Sequence, residues 1–470
     1  MTTTAPTQSQ GTPGLAAASM SGFEVLAQSV AGIAPSAVMA TGPALVAIGA
    51  GGALLYSYAV STVILLMVGW CIARFARSEG EGGTLLSYIT KAFGPGAGFV
   101  GAVGLAFGYA LIAVASLAGV SLYAEPLLHA AGLPGAYSSG TTMAVELVTA
   151  VLAGFAMVRG VQLSTRIGLV LEVLSFLSIL VVIVAVLNWK GLSTAPLHPA
   201  GLSTGDITGG MVLAILGYVG FESAACLGTE AKLASRSIPR AVLGSAAIAG
   251  VLYLLSAYAQ LVGFGDAAKI TASLAPLNDL ADSAGVHPLG YLIDAGAVAS
   301  FFACVTGSLN AASRLLFSMG QDRLLHRRIG VAHHTRQTPH LAIVGLTTAC
   351  AVTAVVMTAS INNRVNVFAY SGTIGTYGYM VAYILIALGT PVYLRRTAAP
   401  ATATATAAVV GALAAAGMSY VLYRNVYPVP ASPYDVLPWL FLGVLVLSGA
   451  WYSVVRVRLR PAGPPSPALS

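Results

Sequence analysis

Apolar residues along this chain come in long runs bounded by glycine, proline and charged turns. Reading those runs against the turn signals predicts twelve helices. They lie near residues 23–48, 53–76, 96–124, 138–158, 162–188, 209–229, 241–264, 287–319, 340–360, 365–394, 402–422 and 436–457. A bilayer-crossing helix needs about 20 apolar residues, so runs of this length point to transmembrane helices and not to a barrel. Residues 1–20 and 459–470 fall outside the pattern and read as disordered tails. The loop 265–286, GDAAKITASLAPLNDLADSAGV, carries three aspartates and reads equally as a short surface helix, forming an outer lid, or as a solvated connector.

Two of the runs are interrupted. The sixth contains GGMVLAILGYVGFESAACLGTE at 209–230, with Glu222 in the middle of apolar, glycine-rich surroundings. A carboxylate in hydrocarbon is costly and normally faces a bundle interior or a watery cavity. Gly217 and Gly220 beside it argue against a continuous helix, and a half-broken helix with an ionisable group at the break is how secondary transporters build binding sites. The competing reading is a helix-packing seam, since small residues let backbones approach. The first run reads EVLAQSVAGIAPSAVMATGPALVAIGA, in which Gly32 and Pro35 flank an expected unwound stretch, because Pro35 lacks a donor and clashes with the preceding turn. A simple proline kink is the alternative there. In the fifth run Glu172 lies about 15 Å along the helix from its start, near the bilayer midplane. Asp294, in the outer half of the eighth run, is a further intramembrane acid, and Glu146 reads as an interfacial residue with no special role.

Composition sharpens the class. Charged residues are 8% and hydrophobic residues 57% of the chain, with mean hydropathy +0.84. A soluble domain has roughly 25% charged residues, which excludes an ordinary soluble protein. All but Lys190, Lys269, Arg364 and Arg424 of the 22 lysines and arginines fall in alternate loops. The positive-inside rule then puts both termini in the cytosol, and explains the net charge of +7 without a nucleic-acid partner. The N-terminus has no basic region ahead of an apolar core and is not a secretory signal. Cys71, Cys226, Cys304 and Cys350 lie far apart in apolar runs, so neither a disulfide nor a zinc site is expected. His333, His334 and His340 sit in a basic loop and are a weak metal candidate only. The histidines fall in loops or at span ends, so no span interior supplies a Ser/His or His-x-x-x-His pairing, and no phosphate-binding Gly-x-x-x-x-Gly-Lys loop is present. An embedded enzyme and an ATP-driven pump are thereby disfavoured, and no cofactor is expected.

Two segments carry family information: GFESAACLGTEAKLASRSIPRAV at 220–242 and LNAASRLLFSMGQDRLLHRRIGVAHHTRQTPHLAIV at 309–344. Together they resemble the amino acid–polyamine–organocation superfamily, through the glycine-aromatic-acid motif at 220–222, the Ile-Pro-Arg-Ala stretch, and Asn310, Ser313, Arg314, Asp322, Arg323, Thr338, Pro339 and His340. The loop residues read as topological anchors: Arg314 at a helix end facing carbonyls and head groups, Pro239 in the first turn of the next helix.

The resemblance implies a twelve-helix, five-plus-five inverted-repeat membrane fold of the leucine-transporter type, discontinuous in helices 1 and 6. Its repeats would be 21–190 and 205–396, with two appended helices at 400–458. It implies a substrate site of Gly32, Ile33, Ala34, Pro35 and Ser36 from the first break and Leu216, Gly217, Tyr218, Gly220 and Phe221 from the second. The first break would hold a carboxylate and the second an ammonium group, with Tyr218 or Phe221 closing the pocket. The family usually has two glycines separated by one residue in the first break; here the first is Val30, a departure at the carboxylate cradle. Related bacterial proteins carry a lysine in the fifth helix, and aligning on Ser164, Thr165 and Arg166 puts its position at Ser175. The coupling candidates are then Glu172, Glu222, Ser175 and Asp294, with a proton or sodium as the ion. The expected function is secondary active transport of amino acids or small amines, probing a small-molecule substrate from within the lipid bilayer. An exchanger, a sodium-coupled carrier, and a channel or sensor are the alternatives, and oligomeric state is left open.

Overall fold

In a computed structural model of the protein, residues 19–79, 84–159, 161–199, 201–273 and 275–459 are described, without the side chains of 161–169, 171, 212 and 457–459. Among these residues the regular structure is helical, with one isolated parallel bridge between Met20 and Ala231. The order is α1 (Gly22–Ile33), α2 (Pro35–Ala50), α3 (Leu54–Glu79), α4 (Leu85–Phe93), α5 (Pro95–Ala130), α6 (Ser139–Arg159), α7 (Val161–Lys190) and α8 (Thr204–Leu216). Then follow α9 (Ala234–Phe264), α10 (Ala267–Ala272), α11 (Pro276–Ser283), α12 (Pro288–Gln321), α13 (His340–Ile361), α14 (Arg364–Arg396), α15 (Ala401–Arg424) and α16 (Leu437–Leu459). Among the described residues ten helical stretches are long and apolar enough to cross a membrane. One of them, Gly22–Ser78, runs through α1, α2 and most of α3.

The side chains are distributed as lipid solvent requires. On α7, Val170, Val173, Leu174, Leu177, Val181 and Val184 are exposed along one face. The opposite face buries Glu172, Ser175, Ile179, Val182 and Val186. Exposed apolar and buried polar residues on one helix make sense when the outer solvent is hydrocarbon and the bundle interior holds the polar partners. The same belt continues over Val148, Val151, Leu152 and Phe155 of α6 and Val352 and Val356 of α13. Inside, α5 and α14 approach so closely that a Cβ at Gly378 would stand 2.1 Å from the Gly104 carbonyl oxygen. Small residues at such seams substitute for the hydrophobic driving force that lipid does not supply.

Several boundaries differ from the sequence reading. The polar connector after α3 contains α4, which is too short and too mixed to stand out among apolar runs. The 265–286 loop folds into α10 and α11. α9 begins at Ala234, so Pro239 lies inside the helix and not in its first turn. The expected tail stops short of Met20, which is buried: its N–H donates to the Glu230 carbonyl (2.9 Å) and its carbonyl accepts from Lys232 N–H (2.8 Å). The rest of the two tails, 1–18 and 460–470, lies outside the described residues.

Candidate functional site

The first interruption is a single residue. α1 ends at Ile33, Ala34 turns left-handed (φ 50°, ψ 58°), and Pro35 opens α2 at a position where its missing N–H costs nothing. The remaining first-turn donors of α2 are taken by protein side chains. Ser36 N–H and Ser36 Oγ both donate to Glu172 Oε1, at 2.8 and 2.7 Å, and Ala37 N–H donates to Ser300 Oγ at 3.2 Å. A helix N-terminus is a natural place for a negative charge, and here Glu172 supplies it from α7. Ser300 stands beside that carboxylate, while Glu172 Oε2 has no hydrogen bond of good geometry among the described residues. Ser175 Oγ, one turn along α7, is likewise unbonded and packs against Gly296 of α12.

The second interruption runs from Gly217 to Glu222 between α8 and a 3-10 segment, Ser223–Leu227. Gly220 has φ +102°, a value that side-chain-bearing residues rarely adopt. Glu222 holds the turn from within: its carboxylate accepts from Gly220 N–H (3.2 Å), from the Tyr109 hydroxyl (2.5 Å) and from the Tyr383 hydroxyl. The two interruptions cross at Gly32 and Gly220. A Cβ on Gly32 would lie 2.8 Å from the Gly220 oxygen, and one on Gly220 would lie 2.5 Å from the Gly32 oxygen. Ser29 Oγ donates to the Phe221 carbonyl (2.7 Å) and Ser223 Oγ to the Gln28 carbonyl (3.1 Å), tying α1 to the segment after the break.

Beside this crossing lies a small cavity of about 50 Å³. Of the residues expected there, Gly32, Ile33, Ala34, Leu216 and Gly217 line it. Pro35, Ser36, Tyr218, Gly220 and Phe221 do not. Tyr218 and Phe221 are fully buried behind the wall, Tyr218 sharing a 2.6 Å hydrogen bond with Thr62 and Phe221 packing on Tyr383. The aromatic walls are Tyr58 of α3, Phe301 of α12 and Phe368 of α14, which nothing in their local sequence sets apart from packing residues. Thr41, Ser116 and Cys304 add polar atoms to a lining without a charged side chain. A larger space of about 330 Å³ shares Leu45, Leu213 and Leu216 with this cavity and is walled by Tyr377, Arg424, Asn425 and Tyr434.

Other expectations resolve as follows. Arg314 is not at a helix end facing head groups: it lies inside α12, 2% exposed, with Nε and Nη2 on the Glu230 carboxylate (Nη2 at 3.0 Å) and Nη1 on the Asn310 carbonyl (3.0 Å). Glu230 escaped the sequence reading because its partner is 84 residues away. Glu146 is buried and accepts from Thr358 (2.8 Å), close to Glu125, which pairs with Thr142 and Arg364. Asp294 accepts from Asn278 of α11 (2.8 Å). All four cysteines are free and buried. The rings of His333, His334 and His340 touch, yet among the described residues no group of three or more His, Cys, Asp or Glu is placed to hold a metal ion.

An all-helical bundle with an apolar belt and two crossed helix interruptions around a small cavity is the architecture of a multi-pass membrane transporter, not of an enzyme. The chain belongs to the amino acid permease family, whose model matches residues 17–449. It is similar to the branched-chain amino acid permease BcaP of Lactococcus lactis subsp. cremoris, with 27% identity covering 72% of this chain and 74% of that one. It is 24% identical to the BcaP of Bacillus subtilis (63% and 66% covered) and 23% identical to a methylthioribose transporter of the same organism (69% and 71% covered).

Proposed function

We propose that the protein moves amino acids or related small amines across the cytoplasmic membrane by alternating access, coupled to a proton gradient. The observation that carries this reading is the crossing of the two interruptions, each with a buried carboxylate on it: Glu172 on the first turn of α2 and Glu222 inside the second break. Similarity to the BcaP permeases, and the wall formed by Ile33, Val38, Leu216, Phe301 and Phe368, support an apolar and branched substrate body. We count α1 with α2 as the first of twelve spans, and α8 with the segment after it as the sixth. Spans 1–5 and 6–10 form the inverted repeats, with both termini cytosolic as the basic loops require. Glu172 is the better carrier, because its Oε2 makes no hydrogen bond of good geometry among the described residues, with only the Ser300 hydroxyl beside the carboxylate, while both oxygens of Glu222 are engaged.

Sodium is the second reading. It is favoured by two buried oxygens, Glu172 Oε2 and Ser175 Oγ, one turn apart on α7 and without a hydrogen bond of good geometry among the described residues. Proteoliposome uptake separates the two. Accumulation that follows an imposed pH gradient and is lost in Glu172→Gln, with exchange of preloaded substrate retained, is the expected result. Accumulation that ignores pH and follows sodium overturns proton coupling. Loss of accumulation with exchange retained in Glu222→Gln, with Glu172→Gln fully active, would transfer the role to Glu222.

A further inference from the structure

We infer that the cleft between the last turn of α3 and the first turns of α9 binds an anionic phospholipid, whose phosphate sits among Arg77, Arg236 and Arg240. The three arginines line a cavity of about 340 Å³ together with Ser235 and Pro239, and the lining holds no carboxylate. Arg236 and Arg240 are about one turn apart and share a face of α9, while Arg77 closes the space from the end of α3. Among the described residues no ion pair or side-chain hydrogen bond engages any of the three. Arg314, Arg364 and Arg396, by contrast, are each held by a protein oxygen, at 3.0, 2.8 and 2.7 Å. Three converging guanidinium groups repel one another. A phosphate diester relieves that repulsion and offers the paired acceptors that guanidinium forks match. The first turn of α9, whose Ser235 lines the cavity, has no side-chain cap, so the positive end of the helix dipole adds to the field there.

The surfaces leading away from the cavity decide what carries the phosphate. On α3, Val60 and Val63 are exposed, Met67, Trp70 and Arg74 half-buried, and Arg77 exposed. Steps of three and four residues keep all six on one face. On α9, the same steps run from Arg236 and Arg240 through Gly244 to the exposed Ile248 and Val251. Each strip is apolar along its length and turns basic only at the cavity, as a surface passing from hydrocarbon into the head-group region does. The two helices meet between the strips, where a Cβ at Gly69 would stand 3.3 Å from a Leu243 methyl. Trp70 carries the Arg74 guanidinium over its ring at 4.6 Å, an arrangement suited to the membrane–water interface. Acyl chains laid on the strips bring a phosphate to the three arginines, whereas a free phosphate leaves the strips unused. The bias of basic residues toward one membrane face accounts for arginines in these segments, but it does not require three of them to line one cavity.

Binding is measured on the delipidated full chain in detergent, by native mass spectrometry during titration with phosphatidylglycerol, diacylglycerol or inorganic phosphate. Phosphatidylglycerol is expected to bind at least about tenfold more tightly than either of the others, since one lacks the charge and the other the chains. Arg77→Gln, Arg236→Gln and Arg240→Gln should each weaken phosphatidylglycerol about fivefold, the share of one arginine near a membrane surface. Arg395→Gln, at the end of α14, removes a charge outside the cavity and should change the affinity by less than about twofold. All four side chains are exposed, so the variants keep the packed interior intact. Equal losses in Arg395→Gln and in the cavity variants would reduce the effect to diffuse surface charge and overturn the site. Diacylglycerol binding as tightly as phosphatidylglycerol would remove the phosphate from the inference, and inorganic phosphate doing so would remove the lipid; either result overturns it. An affinity unmoved in all three cavity variants overturns it as well.

Discussion

Replacing Arg314 with alanine tests whether the buried ion pair holds one end of the transport path shut. Arg314 and Glu230 have side chains only 3% and 1% exposed, so the substitution strands a carboxylate that the bundle cannot hydrate. Breaking one side of a buried pair costs about 3–5 kcal/mol. Glu230 also anchors the start of α1, since its backbone carbonyl accepts from Met20 N–H (2.9 Å) and Lys232 N–H returns to the Met20 carbonyl (2.8 Å). The least costly way to wet Glu230 is therefore to part α1 and the 3-10 segment from α12. A destabilisation of this size corresponds to a population shift of roughly a hundredfold to a few thousandfold toward an open arrangement. Cys226, 3% exposed in the 3-10 segment, reports it. With Cys71, Cys304 and Cys350 replaced by serine, its labelling by a membrane-impermeant maleimide should accelerate by at least about tenfold in Arg314→Ala, a lower bound set well inside that shift. Adding Glu230→Gln should recover most of the protection, because it removes the stranded charge. Unchanged labelling in a variant that is folded and has lost little thermal stability would refute the reasoning.

Three further outcomes follow from the same geometry. Gly220→Val should destabilise the fold and not merely block binding, by about 2–5 kcal/mol from the left-handed φ and the 2.5 Å approach to Gly32; a variant with wild-type melting temperature and affinity would contradict the crossing. Tyr383→Phe leaves one Glu222 oxygen with only the Gly220 N–H, costing about 1.5–3 kcal/mol, read as a lower melting temperature in detergent, and no change would mean that the carboxylate is satisfied elsewhere. Cysteines placed in the 321–339 loop should react with impermeant reagents only from the cytosolic side, as the arginines there require, and labelling from outside intact cells would reverse the orientation.

Much of this protein is legible in its sequence because it depends on local backbone chemistry. Apolar run length places the long helices, and Gly32 with Pro35 and the glycines at 217 and 220 mark where the first and sixth runs break, although the first break narrows in the structure to Ala34 alone. The same chain position that makes Glu172 and Glu222 costly in lipid also marks them as interior residues. What each carboxylate does was not legible. Glu172 meets Ser36 across 136 residues, Glu222 meets Tyr109 and Tyr383 across 113 and 161, and Arg314 meets Glu230 across 84. No local pattern encodes such pairs, because they depend on which helix faces come together when the bundle packs. The cavity wall depends on packing in the same way: Tyr58, Phe301 and Phe368 look like any apolar-face aromatics until α3, α12 and α14 converge on the crossing of Gly32 and Gly220. Local sequence thus determined where the chain breaks, and tertiary packing decided which side chains spend the donors and acceptors those breaks release.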